Sequence, residues 1–154
     1  MSDAPLALSA ADSSAVALVR RDAVLIIEDN ETIAGLLTTL MRLLGLRVYW
    51  AASGALAEKI FAQHWQEIIV VLTDCRLPDG DGREVCLKLR EVAPHLPVLV
   101  MSGSVSGRGV DPLPQSRLVA YLPKPYAPTE VLALVRQLVM AGGSKVALLS
   151  PKFA

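Results

Sequence analysis

Short apolar runs alternate with stretches of helical spacing five times along this chain, and that alternation constrains its fold more than any other feature. Residues 23–27 read AVLII, wholly apolar, as in a strand buried on both faces. Ile33, Leu36, Leu37, Leu40, Leu43 and Leu44 then recur at three- and four-residue spacing, and Gly45 stands where a helix would stop. The cycle repeats. Residues 47–51 (RVYWA) read as a strand, and Leu56, Ile60 and Phe61 as a helix with Ser53 at its N-cap. Residues 68–73 read as the third strand, and Val85, Leu89 and Val92 mark a helix that ends before Pro94. Residues 97–101 (PVLVM) and 118–122 supply two more strands. Val131, Leu134, Val135 and Leu138 form the last helix, which opens near Pro128 or Thr129 and closes at Gly142-Gly143. Such alternation predicts a parallel sheet covered by helices on both sides, with its site at the carboxyl ends of the strands.

Composition narrows the function. With 53% hydrophobic and 19% charged residues over 154, the chain suits one folded domain with a real core. Lys plus Arg number 15 and Asp plus Glu 15, so bulk charge draws it neither to nucleic acid nor to a membrane. No run is long enough to cross a bilayer, and the start lacks the basic region of a signal peptide. Cys75 and Cys86 form no CxxC, and reduced thiols in a cytoplasm are expected. The Ala- and Ser-rich residues before about position 20 read as a tail with a frayed helix over 10–19.

Chemistry gathers at the strand ends. The first ends in Glu28-Asp29, the third in Asp74, the fourth in Ser102-Gly103, and the fifth is followed by Lys124-Pro125. Three carboxylates on one edge repel one another, and a hard divalent cation resolves that. Mg2+ takes carboxylate and water oxygens and keeps positions for phosphate. Lys124 can pair with a carboxylate or a phosphoryl oxygen, the Ser102 hydroxyl can donate to another, and Gly103 leaves the approach open. Asp74 is then placed to act as a nucleophile on phosphorus.

Four stretches carry a resemblance: IIEDN (26–30), LTDCRLPDGDG (72–82), MSGS (101–104) and YLPKPY (121–126). In that order and spacing the chain resembles a receiver domain of two-component response regulators, of the chemotaxis-regulator-like, single-domain kind. The resemblance implies a flavodoxin-like (βα)5 three-layer sandwich with a parallel five-stranded sheet in the order 2-1-3-4-5. It implies a receiver domain over 22–141 between tails at 1–21 and 142–154. Asp74 would be the phosphoacceptor. Asp29 and Asp74 would bind Mg2+ directly, Glu28 through water and Arg76 by its backbone carbonyl. Ser102, Gly103 and Lys124 would hold the phosphoryl group, with Ser102 and Tyr121 as switch residues. A sensor histidine kinase or phosphotransfer protein would be the donor, a downstream protein the target, and a homodimer one assembly open to it. Slow autodephosphorylation would follow.

Plainer readings stand beside these. Glu28-Asp29 suits any helix N-terminus. Asp79 and Asp81 read as turn formers, since Arg83 and the absence of a spaced Glu break a calcium loop. His64 and His95 read as surface residues, Cys86 as helical filler, and Trp50 and Trp65 as caps at the core edge. EDNE after the first strand would repel a flavin phosphate. Arg76 occupies the place where a haloacid-dehalogenase-like phosphatase needs its acid.

The chain departs from the family in two places. Residues 102–117 carry Gly103, Gly107, Gly109, Pro112 and Pro114, so the fourth helix should be short or irregular. Arg76 is long enough to reach or shield a phosphoryl group. The eleven residues after Gly143, SKVALLSPKFA, include an apolar cluster over 146–149, expected to fold back or touch a partner. The signal would leave by protein contact or onward transfer. The alternative function is a degenerate receiver serving as a phosphorylation-independent interaction module.

Overall fold

Every residue of Ala23–Ile27 (β1) is buried, and so is every residue of Ile68–Asp74 (β3), as apolar runs at the centre of a parallel sheet should be. The computed structural model describes residues 19–103 and 111–150. Three further strands complete the sheet: Arg47–Ala51 (β2), Val98–Ser102 (β6) and Val119–Pro123 (β7). Their order is β2-β1-β3-β6-β7, all parallel, which is the expected 2-1-3-4-5 once an extra two-residue ladder is set apart. That ladder pairs Arg76–Leu77 (β4) with Gly80–Asp81 (β5) directly after Asp74.

Four helices cover the sheet among the described residues: Glu31–Leu43 (α1), Gly54–His64 (α2), Gly82–Val92 (α3) and Pro128–Ala141 (α4). One apolar layer joins Leu37, Leu40, Met41 and Leu44 to Val131, Val135 and Leu138, and so seats α1 and α4 on one face. The other joins Ala57 and Phe61 to Val85, Cys86 and Leu89, and seats α2 and α3 on the opposite face. The result is the three-layer sandwich. Leu56 and Val92, expected inside, point outward at 41% and 54% exposure, while Cys86 is a core residue. Its burial pushes the thiol pKa up to about 12, far from thiolate chemistry.

Local signals set the helix ends. Asn30 caps α1 by accepting from the Thr32 and Ile33 N–H groups, and Ser53 caps α2 by accepting from Leu56 N–H. Gly45, at φ +85°, lets Leu46 N–H reach back to the Met41 carbonyl and closes α1. Asp79 and Asp81 do more than turn the chain. Asp79 accepts from Gly54 N–H at 2.8 Å and Ala55 N–H at 2.9 Å, so it caps α2 from a separate loop. Asp81 caps α3 through Arg83 N–H at 2.8 Å and pairs with the Arg83 guanidinium.

The amino end of the sheet is closed by polar contacts. Arg47 bridges Asp22 at 2.6 Å and Glu67 at 3.0 Å. His64, expected as a bare surface residue, stacks on Tyr49 with ring centroids 4.4 Å apart and sets Nδ1 2.7 Å from Glu67 Oε2. Arg90, on α3, donates to the carbonyls of Leu96 (2.8 Å) and Leu118 (3.3 Å), the residues that lead into β6 and β7.

Residues 111–118 contain bends and a turn but no helix. Leu113 anchors this stretch in the second apolar layer. The rest of the Gly- and Pro-rich segment, 104–110, lies outside the described residues, as do the tail over 1–18 and residues 151–154. Within 144–150, Val146 and Leu148 pack against the first layer, and Leu149 N–H donates to the Leu44 carbonyl at 2.9 Å. The apolar cluster therefore folds back on the domain. No helix among the described residues is long and apolar enough to cross a membrane.

Candidate functional site

Three strands end at one point. β1 runs out into Glu28-Asp29, β3 ends on Asp74, and β7 is followed by Lys124, whose bond to Pro125 is cis. One carboxylate oxygen from each of Glu28, Asp29 and Asp74 lies within 4.8 Å of the others. Lys124 Nζ donates to Asp74 Oδ2 at 2.9 Å. The other oxygen, Oδ1, accepts from Arg76 N–H at 3.2 Å. Glu28 and Asp74 are buried, whereas Asp29 is exposed, so the cluster opens on one side.

Electrostatics within the cluster are unequal. Burial pushes the Glu28 carboxyl above the usual range, against the Asn30 N–H that favours its charge, and the Asp74 charge pushes it further. Burial opposes the charge on Lys124, yet the hydrogen bond and charge of Asp74 outweigh it and hold the ammonium above its ordinary value. Lys124 is therefore a fixed cation beside an acidic pair.

Glu28 Oε1 accepts from Asn30 N–H at 3.1 Å, whereas Glu28 Oε2 is buried without a hydrogen-bond partner. An orphaned anionic oxygen costs stability. Oxygen donors at this spacing, one of them orphaned, fit a hard cation such as Mg2+.

The remaining predicted residues lie around this centre. Ser102, half-buried at the end of β6, sits beside the Cys75 thiol, and its carbonyl accepts from Lys124 N–H at 2.8 Å. Gly103 is exposed with open space where a Cβ would project. The Arg76 side chain is exposed. Tyr121 faces elsewhere: it packs in the second apolar layer, and its hydroxyl donates to Asp111. Asp111 Oδ1 also accepts from Leu113 N–H at 3.0 Å and faces Arg83 at 3.9 Å, so one carboxylate ties Tyr121, α3 and the segment before β7 together.

Sequence reasoning missed four supporting residues. Thr73 Oγ1 donates to the Asp74 carbonyl at 3.0 Å. Trp50 Nε1 donates to the Glu28 carbonyl at 2.7 Å. A Cβ on Gly82 would lie 2.0 Å from the Asp74 carbonyl oxygen. Asp111 is the fourth. Only Gly82 left a visible sign, the DGDG run ahead of a helix.

The family described as response regulator receiver domain matches residues 24–136. The response regulator MprA of Mycobacterium sp. (strain KMS) is 33% identical over 120 residues, 75% of this chain and 50% of that protein. The sensor kinase CckA of Brucella abortus (strain 2308) is 26% identical over 116 residues, 75% of this chain but 12% of that protein. A putative response regulator from Chloroflexus aurantiacus J-10-fl superposes with a TM-score of 0.65 at 26% identity, covering 79% of this chain and 99% of the other. The chain thus spans about half the length of the MprA response regulators it matches.

Proposed function

We propose, from the premise that this chain belongs to the response regulator receiver domain family of two-component systems, that Asp74 is its phosphoacceptor. The observation that carries the reading is Asp74 itself. It ends a buried strand, lies within 4.8 Å of two further carboxylates, and is held by an ammonium at 2.9 Å.

A carboxylate oxygen of Asp74 attacks the phosphorus of a phosphohistidine on a sensor histidine kinase or phosphotransfer protein. The new P–O bond forms as the P–N bond breaks, and the imidazole leaves with the electron pair. Lys124, released from Asp74 Oδ2 as that oxygen takes phosphorus, neutralises charge on the arriving phosphoryl oxygens. Ser102 and the open backbone at Gly103 receive another. Asp29, Asp74, Glu28 through water, and the Arg76 carbonyl would hold Mg2+, which when bound screens the negative charge of donor and acceptor.

The receiver spans residues 22–141 in this reading. Ser102 moves toward the bound phosphoryl group and Tyr121 follows, which alters the face read by a downstream protein in the cytoplasm. Arg76, exposed beside the acceptor, sets how fast water removes the group. The test is incubation with acetyl phosphate and Mg2+, read on the intact protein. A mass gain of one phosphoryl group, absent in Asp74→Ala, is expected. No gain in the parent chain would leave the second reading, a phosphorylation-independent interaction module, which the helix-free stretch at 111–118 favours.

A further inference from the structure

Glu28 is held at three of its polar groups, and one of the holders is a side chain from the edge of the sheet. Its N–H donates to the Ala51 carbonyl at 3.0 Å, its Oε1 accepts from Asn30 N–H at 3.1 Å, and its carbonyl accepts from Trp50 Nε1 at 2.7 Å. Only Oε2 remains, buried and without a partner. The carbonyl that Trp50 holds belongs to the peptide joining Glu28 to Asp29. One hydrogen bond thus orients the peptide plane between two of the three clustered carboxylates.

The placement of Trp50 suits this task. It pairs with Ile26 in the β1–β2 register, so β1 ladder pairing ends one residue later at Ile27 and Ala51. Beyond that point strand pairing no longer holds the Glu28 carbonyl, and the indole reaches forward to take it. The ring is 40% exposed beside Ala34, Gly35 and Thr38 of α1, so core burial alone does not account for a tryptophan there.

We infer that Trp50 is a positioning residue for the acidic turn: its indole N–H fixes the Glu28–Asp29 peptide so that both carboxylates stay aimed at a divalent cation. This rests on the cation site described under the proposed function. It extends that site to a residue on β2 that touches neither the metal nor the phosphoryl group.

Trp50→Phe keeps a packing ring and removes the donor. Mg2+ binding by calorimetry should weaken about tenfold in W50F, the low end of what outer-shell partners contribute. In the metal-free protein, the Asn30 amide, held by Glu28 Oε1, should exchange with solvent faster in W50F than in the parent. Equal Mg2+ affinities for W50F and parent, with both proteins folded by thermal melting, overturn the inference while leaving the cation site intact. A parent protein that takes no Mg2+ overturns the cation site and the inference with it. A further readout needs no variant. The Trp50 indole proton of the parent should be protected from exchange and should shift during a Mg2+ titration, and an indole proton that exchanges as fast as a solvent-exposed one overturns the hydrogen bond directly.

Discussion

Gly82→Ala tests whether the close approach of α3 to the acceptor strand holds Asp74 in place. A Cβ at position 82 would stand 2.0 Å from the Asp74 carbonyl oxygen and 2.3 Å from Thr73 Oγ1, where real contacts stay beyond 3.0 Å. The start of α3 and the end of β3 must therefore separate by about 1 Å or more, the difference between 3.0 and 2.0 Å. Overpacking of this kind costs about 1–3 kcal/mol. The bonds from Gly82 N–H to the Cys75 carbonyl and from Thr73 Oγ1 to the Asp74 carbonyl, both 3.0 Å, stretch together, and each contributes about 1 kcal/mol. Lower entropy of the unfolded chain offsets about 0.5–1 kcal/mol. The net loss is about 2–4.5 kcal/mol. At about 2–4 °C per kcal/mol for a domain of this size, the melting temperature falls by about 4–18 °C. Phosphoryl uptake should fall as well, because displacing Asp74 disturbs its 2.9 Å contact with Lys124. Calorimetry and intact-mass measurements read both effects. A melting temperature unchanged or raised would refute the steric reasoning.

Gly35→Ala should do the opposite: its Cβ would meet nothing within 4 Å on α1, so helix propensity alone should add about 1 kcal/mol of stability, read by denaturant titration. Lys124→Ala should slow phosphoryl uptake from acetyl phosphate about 100-fold, the effect of deleting one donor to developing charge. The Gly54 and Ala55 N–H groups hold the Asp79 carboxyl below its ordinary value of 3.8, so the stability it contributes is complete above that value and is lost as pH falls through the folded value. Denaturation midpoints at about pH 5 and pH 2.5 should therefore differ more for the parent than for Asp79→Asn. Tyr121→Phe removes the donor to Asp111 and should cost about 1 kcal/mol, with faster amide exchange at Leu113 as the local signature.

The sheet was legible because its central strands are buried on both faces: AVLII and IIVVLT admit few other placements, and parallel topology brings their ends to one edge. Glu28, Asp29, Asp74 and Lys124 could be grouped from that rule alone. Strand boundaries slipped by one residue: β6 and β7 run over 98–102 and 119–123 where 97–101 and 118–122 were expected. Residues that act across elements stayed hidden. Nothing near Asp79 in the chain points to α2, which begins 25 residues earlier, and Asp111 meets Tyr121 ten residues on only because the return path folds under it. The Trp50 contact spans 22 residues and depends on strand register. Local patterns report periodicity and caps, whereas side chains that bridge separate elements leave no period to read.

The Arg90 guanidinium has a consequence for how this protein can change. It grips the carbonyls of Leu96 and Leu118, where the chain enters β6 and where it returns to β7. Those two carbonyls lie at the amino ends of neighbouring parallel strands, so one cation pins β6 to β7 at the edge opposite the acidic cluster. Ser102, which ends β6, and Lys124, which follows β7, thus stand on strands anchored at their far ends. One guanidinium far from the acidic edge therefore sets the tension under two of the strands that carry it.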